Sequence, residues 1–481
     1  MKDFIFSNIL RELVTNKVSR NYLLKKLDNY LYDSIVEKHD ESLRKVQEKK
    51  YQYMNSMLRC SLRNVEKGYF STNVFKKLVS VLVENSILNK HKYNDKLEDF
   101  KNQYGEYPPN FIVLSPTQGC NLNCTGCYAS SDPHTSAKLP YHTVERILDD
   151  MHDKMHSRFV TVSGGEPFVY KSEGKSLLDI FEKYNDVFFL VYTNGTLITP
   201  KVADRLAKAG NVTLAISVEG FERETDARRG KGVFKKILQA FENLRNAGVP
   251  FGTSVTPTSQ NVDLLLTDEF YDYYFLDQGI TYMWEFQLMP IGRSSHELNL
   301  MVPPKKRVEL YRKWEYLISE KQYCVADFWN SGVLSNGCIA YGRMGGYFYI
   351  DWNGNIMPCV FIPYYVDNVY ELYNNGKSLV DALFSDFMKN GRKWQREYGQ
   401  SHPKDPENWL MPCSIRDHYD YFRKYILPDH ARGENQEAEE ALKDDEHYRR
   451  LTEYDEELRN LTESIWEEEY MEEEYEKNNC K

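Results

Sequence analysis

From residue 110 to about 290, short apolar runs alternate with stretches of helical periodicity. The runs fall at residues 111–114, 159–162, 187–192, 212–218, 249–255 and 282–288, and they are rich in Val, Ile, Phe and Tyr. Near-continuous β-branched and aromatic segments of this length suit strands buried on both faces. Between them, residues 142–155, 201–208, 234–246 and 264–275 repeat apolar positions at helical spacing. Strand–helix alternation predicts a parallel sheet with helices outside it. Six such strands are fewer than the eight of a closed barrel. The expected fold class is therefore α/β, a partial (β/α)6 barrel of the TIM type.

The flanks read differently. Residues 1–107 form a helical N-terminal region with an amphipathic start at Phe4, Ile5, Ile9, Leu10 and Leu13. A helical cap on the barrel is the plain reading; a helix docking on a partner or peripherally on a membrane has the same pattern. The barrel takes residues 108–295, a smaller hairpin and helical domain takes 296–428, and an acidic helical tail with spaced Leu, Tyr and Trp466 takes 429–481. No internal repeat is present.

Unusual residues gather where the expected strands end. Ser115 to Cys120 follow the first, and Ser163-Gly164-Gly165-Glu166-Pro167 follow the second. Thr193-Asn194-Gly195 close the third, Ser217-Val218-Glu219-Gly220 the fourth, Thr256 the fifth and Gln287 the sixth. In a strand–helix barrel that end carries the site, on loops held by a rigid scaffold.

A formal charge of −10 argues against a general nucleic-acid binder. No apolar run is long enough to span a bilayer, and no secretory signal opens the chain, so a cytoplasmic location is expected. The nine cysteines are too scattered for a disulfide framework, yet Cys120, Cys124 and Cys127 fall within eight residues as C-x3-C-x2-C. Thiolates suit iron–sulfur clusters and zinc. Structural zinc wants four closed ligands, and no second cysteine pair or suitably spaced histidine follows. A cubane closed by protein alone takes four cysteines, so three leave one iron open to chelate a small molecule.

This loop, followed by the aromatic Tyr128, resembles the signature of the radical S-adenosylmethionine superfamily. The likeness extends over residues 108–295 through Gly164, Gly165, Glu166 and Pro167, then Asn194, Ser217 and Glu219. In Asp226-Ala227-Arg228-Arg229-Gly230 it points to Arg229 as the residue steering the cofactor carboxylate. It implies an enzyme with a [4Fe–4S] cluster on Cys120, Cys124 and Cys127. That cluster would cleave S-adenosylmethionine to a 5′-deoxyadenosyl radical, which takes hydrogen from an unactivated carbon. It also implies a low-potential donor of flavodoxin or ferredoxin type. A non-enzymatic iron–sulfur carrier or redox sensor would need the cysteines but not Glu166, Ser217 and Arg229.

Cys338 and Cys359 flank a stretch with a turn signal at Asn353-Gly354. This resembles the SPASM/twitch-like extension that binds an auxiliary [4Fe–4S] cluster, with Cys413 as third ligand. The full C-x2-C-x5-C-x3-C run is absent, and the fourth position is left to Cys324, Asp417, His418 or an open iron. Buried free thiols are the plain alternative. Gln287 and Arg293 are candidates to face substrate, or to make structural hydrogen bonds. Members with auxiliary clusters often act on peptides, so a peptide substrate is expected, with a lipid or a small-molecule or cofactor precursor as alternatives. No general base or other catalytic side chain is evident.

Overall fold

The structure, a computed structural model, describes residues 20–38, 42–78, 81 and 90–471. The amphipathic start at Phe4 to Leu13, and Cys480, lie outside the described residues.

Ten strands make one sheet: β1 (Phe111–Leu114), β2 (Phe159–Val162), β3 (Phe188–Thr193), β4 (Val212–Val218), β5 (Phe251–Val255), β6 (Met283–Glu285), β7 (Val325–Asp327), β8 (Tyr347–Ile350), β9 (Asn355–Met357) and β10 (Asp367–Asn368). Their spatial order is β10–β9–β8–β1–β2–β3–β4–β5–β6–β7. Pairing is parallel from β8 to β7, while β9 and β10 run antiparallel at one edge.

All six apolar runs are strands, each within the expected span or shifted by one residue. The sheet then continues on both sides. β7 pairs with β6, and β8 pairs with β1 in the register Phe111↔Tyr347 to Leu114↔Ile350. The hairpin expected around Asn353-Gly354 thus joins the barrel sheet directly. Asp351 shapes its turn by accepting the backbone N–H of Asn353 and of Asn355, each at 2.8 Å, and Gly354 takes φ +80°.

Helices cover the outer face because their apolar positions recur at helical spacing. In Val233–Ala247 the buried set is Val233, Phe234, Ile237, Ala240, Phe241 and Leu244, with a left-handed Gly248 ending the helix. Burying each larger side chain of this kind contributes about 1.5–3 kcal/mol. The N-terminal helix α1 (Arg44–Glu66) is tied to the body by a buried Lys49–Glu315 ion pair at 2.6 Å and by Asn64 Nδ2 donating to Gly279 O at 2.8 Å. The acidic tail folds back as well. Arg432–Gly433 pairs with Tyr364–Tyr365, and α2 (Asp445–Trp466) leads to Tyr470, whose hydroxyl meets that of Tyr311 at 2.8 Å. Among the described residues no helix is long and apolar enough to cross a membrane.

Candidate functional site

The loop after β1 carries Cys120, Cys124 and Cys127 as free, half-buried thiols. Burial pushes Cys120 up to about 12, with Glu166 and the two neighbouring thiols adding to the effect. Burial also raises Cys124, and the Arg229 guanidinium offsets part of that rise. Binding of a metal centre by these thiols would hold them ionised and so release protons.

The loop is held by its neighbours' backbone. Gly165 N–H donates to Thr117 O and Glu166 N–H to Gly119 O, each at 2.9 Å. A Cβ on Gly165 would stand 2.3 Å from both Gln118 O and Gly119 O, so only glycine allows this approach. Gly164 adopts φ +117°. Its N–H donates to the Tyr128 hydroxyl at 3.1 Å, and that hydroxyl also meets Ser163 Oγ at 2.9 Å. Pro167 starts the short turn that follows Glu166.

The Glu166 carboxylate, 1% exposed, accepts from Thr193 Oγ1 at 2.7 Å, Asn194 N at 2.8 Å and Phe168 N at 3.1 Å. It straps the end of β2 to the end of β3, and burial raises its pKa despite these donors. Asn194 Nδ2 donates to Asn121 Oδ1 at 2.9 Å and lies 3.9 Å from Cys120 Sγ. Ser217 Oγ faces Ser254 Oγ at 3.3 Å across β4 and β5.

Glu219 is 2% exposed and pairs with both Arg228 and Arg229, its Oε2 lying 2.7 Å from Arg228 Nη1. Arg228 Nε also holds Thr125 O at 3.1 Å, inside the cysteine loop. Arg293 donates from Nε to Cys124 O at 3.1 Å and from its backbone to Cys127 O at 3.0 Å. It is a clamp on the loop. Gln287, fully buried, bridges Asp327 and Arg416. Arg228, Thr117 and Ser163 stand in stretches the sequence singles out, but their individual contacts arise only once distant strands meet.

A second set of thiols lies beyond β6. Cys338, Cys359 and Cys413 line one cavity of about 170 Å³ together with Tyr53, Trp284 and Trp329. Burial pushes Cys359 up to about 12. Tyr53 comes from α1, so the N-terminal region supplies part of the wall. Of the candidates for a fourth ligand, Asp417 is engaged bidentately by Arg307 and accepts Cys413 N–H at 3.0 Å. His418 Nε2 sits 2.9 Å from Met411 O, and Cys324 is turned toward Cys60, Tyr53 and Ser56. None of these three joins the cavity lining.

Among the described residues no three His, Cys, Asp or Glu side chains converge for a single metal ion. Structural zinc takes four closed ligands, one more than the three thiols at either place supply, whereas a cysteine-only donor set is what iron–sulfur cubanes use. The donor chemistry is all thiol at both places.

The family model described as Radical SAM superfamily matches residues 114–265, from the end of β1 past β5. The mycofactocin maturase MftC of Mycobacterium tuberculosis is 30% identical over 331 residues, covering 66% of this chain and 77% of that protein. The AdoMet-dependent heme synthase of Methanosarcina barkeri is 26% identical over 336 residues, covering 64% of this chain and 88% of that protein. Among solved structures, Streptococcus suis SuiB bound to S-adenosylmethionine has a similar fold, with a TM-score of 0.50 at 17% identity over 63% of this chain and 72% of that one.

Proposed function

This chain belongs to the radical S-adenosylmethionine superfamily, an enzyme using that cofactor and a [4Fe–4S] cluster, and from that premise we propose that it modifies a peptide at an unactivated C–H bond. When bound, cluster and cofactor together supply a carbon radical able to remove such a hydrogen; the protein orients the partners and excludes side reactions.

In this reading Cys120, Cys124 and Cys127 hold the first cluster. The backbone of Gly164, Gly165 and Glu166, with Tyr128, Pro167, Asn194, Ser217, Glu219 and Arg229, forms the cradle for the cofactor. The observation that carries it is the cysteine loop pressed against Gly165, where strands β1, β2 and β3 end. Glu166 fixes that backbone through three accepted hydrogen bonds, and its Oε2, which takes only the Asn194 N–H, keeps a lone pair for an ammonium group of the cofactor. Arg229 is fixed beside Cys124 by Glu219, and half of its fork remains for a carboxylate.

Cys338, Cys359 and Cys413 hold an auxiliary cluster with no fourth protein ligand. Their shared cavity and the engaged state of Cys324, Asp417 and His418 support this. The peptide assignment rests on the relative named as a maturase. A small-molecule substrate is the second reading, favoured by the relative named as a heme synthase. A flavodoxin- or ferredoxin-type donor would supply the electron.

The test uses anaerobically reconstituted protein with S-adenosylmethionine and dithionite. Formation of 5′-deoxyadenosine is expected, and deuterium should pass into it from a labelled peptide. A reducible cluster without cleavage would leave an electron carrier. Cleavage with deuterium arriving only from small molecules would overturn the peptide assignment.

A further inference from the structure

The cavity shared by Cys338, Cys359 and Cys413 contains sulfur-directed donors as well as thiols. Tyr347, on β8, places its hydroxyl 3.0 Å from Cys359 Sγ. Its ring stacks on Phe111 with centroids 5.1 Å apart, so packing in the sheet aims the hydroxyl. Trp329 is fully buried, and its indole N–H finds no acceptor while lying beside the Cys413 thiol. Two backbone groups point the same way: Phe361 N–H toward Cys359 Sγ at 3.4 Å and Ala340 N–H toward Cys338 Sγ at 3.5 Å.

The first cysteine loop is poorer in such donors. Cys120 receives Leu122 N–H at 3.4 Å and Asn194 Nδ2 at 3.9 Å. No donor to Cys124 or Cys127 Sγ is found among the described residues.

A buried N–H without an acceptor is unfavourable, and the group placed to accept from Trp329 is the Cys413 sulfur beside it. A cluster-bound thiolate can only accept, which settles the direction of the Tyr347 contact. Hydrogen bonds to cluster sulfurs stabilise the reduced, more negative state and raise the reduction potential. Burial opposes this, because a dry cavity disfavours added negative charge. Donors are local to the sulfurs where that charge resides: three reach Cys338 and Cys359, and the Trp329 N–H lies beside Cys413.

We propose that Tyr347 and Trp329 are sulfur-directed donors that hold the reduction potential of the auxiliary cluster above that of the first cluster. The proposal rests on the reading of Cys338, Cys359 and Cys413 as cluster ligands. It assigns the auxiliary site the properties of an electron acceptor, set by two side chains that bind no metal themselves.

The experiment is an EPR-monitored redox titration of the reconstituted full chain, beside Tyr347→Phe and Trp329→Phe. Tyr347→Phe removes only the hydroxyl donor; Trp329→Phe keeps an aromatic ring and removes the N–H together with part of the ring volume, so Tyr347→Phe carries the cleaner reading. A Cys120→Ala/Cys124→Ala/Cys127→Ala variant isolates the auxiliary signal. Iron is counted in every sample, about eight per chain being expected for the proteins with both sites and about four for the triple variant. The expected result is an auxiliary midpoint above that of the first cluster, lowered in each aromatic variant, with the first cluster's midpoint unmoved. An unshifted auxiliary midpoint at full iron content overturns the donor role, as does a first cluster that is the easier one to reduce. About four irons per chain in the native protein, or none in the triple variant, removes the auxiliary cluster, and the proposal with it.

Discussion

The Arg307–Asp417 pair allows a stability prediction that also reports on the second thiol site. Both side chains are buried, at 1% and 0% exposure. Asp417 takes both Nη groups of Arg307 and the backbone N–H of Cys413 at 3.0 Å, so one carboxylate fixes the turn that presents that thiol. Asp417→Asn keeps an acceptor for Cys413 but leaves the guanidinium buried without its counter-charge. Breaking a buried pair in this way costs roughly 3–5 kcal/mol. Removing both charges, in Arg307→Met/Asp417→Asn, takes away the uncompensated ion and should recover much of that loss, because a buried pair is often neutral against apolar replacements. Urea unfolding of the metal-free proteins, followed by tryptophan fluorescence, measures both. The double variant should unfold at a higher midpoint than Asp417→Asn alone. If the two single substitutions instead add, or if Asp417→Asn leaves the midpoint unmoved, the pair does not carry the energy argued here.

Other expectations follow from single contacts. Gly165→Ala would force a Cβ into Gln118 O and Gly119 O; it should lower S-adenosylmethionine affinity at least tenfold, measured by calorimetry on reconstituted protein, with the far-ultraviolet circular dichroism unchanged. Arg293→Met releases the carbonyls of Cys124 and Ser131 while the backbone still holds that of Cys127, and iron retained at the first site after gel filtration should fall while the auxiliary signal stays. Glu285 is pushed up to about 8 by burial and by the facing Asp327. Its folded-state pKa lies above the unfolded value, so the stability it contributes is present below about pH 4.5 and is lost as pH rises toward 8. Glu285→Gln keeps the acceptor for the Tyr271 hydroxyl and should therefore gain a few kcal/mol over the native chain at pH 8 but little at pH 5, read as urea midpoints at the two pH values.

What the sequence determined was whatever is encoded locally. The six apolar runs are strands because each carries its burial in its own residues, and the cysteine spacing is legible because a cubane is gripped within one short loop. The Asn353-Gly354 turn belongs to the same class: a left-handed residue and a capping Asp351 suffice. Tertiary structure decided the rest. β7 has only three residues and β8 four, so their pairing with β6 and β1 depends on edges that exist only after the sheet has formed. Glu166, Arg293 and Gln287 looked able to meet a ligand; in the fold each is engaged by partners from other segments. Tyr347, Trp329 and Tyr53 reach the second thiol site from β8, from the turn after β7 and from α1, more than two hundred residues apart in the extreme case. A side chain's own identity fixes what it can donate or accept. Which atom it meets is fixed by long-range packing, where the energy comes from burial and carries no address in the local sequence.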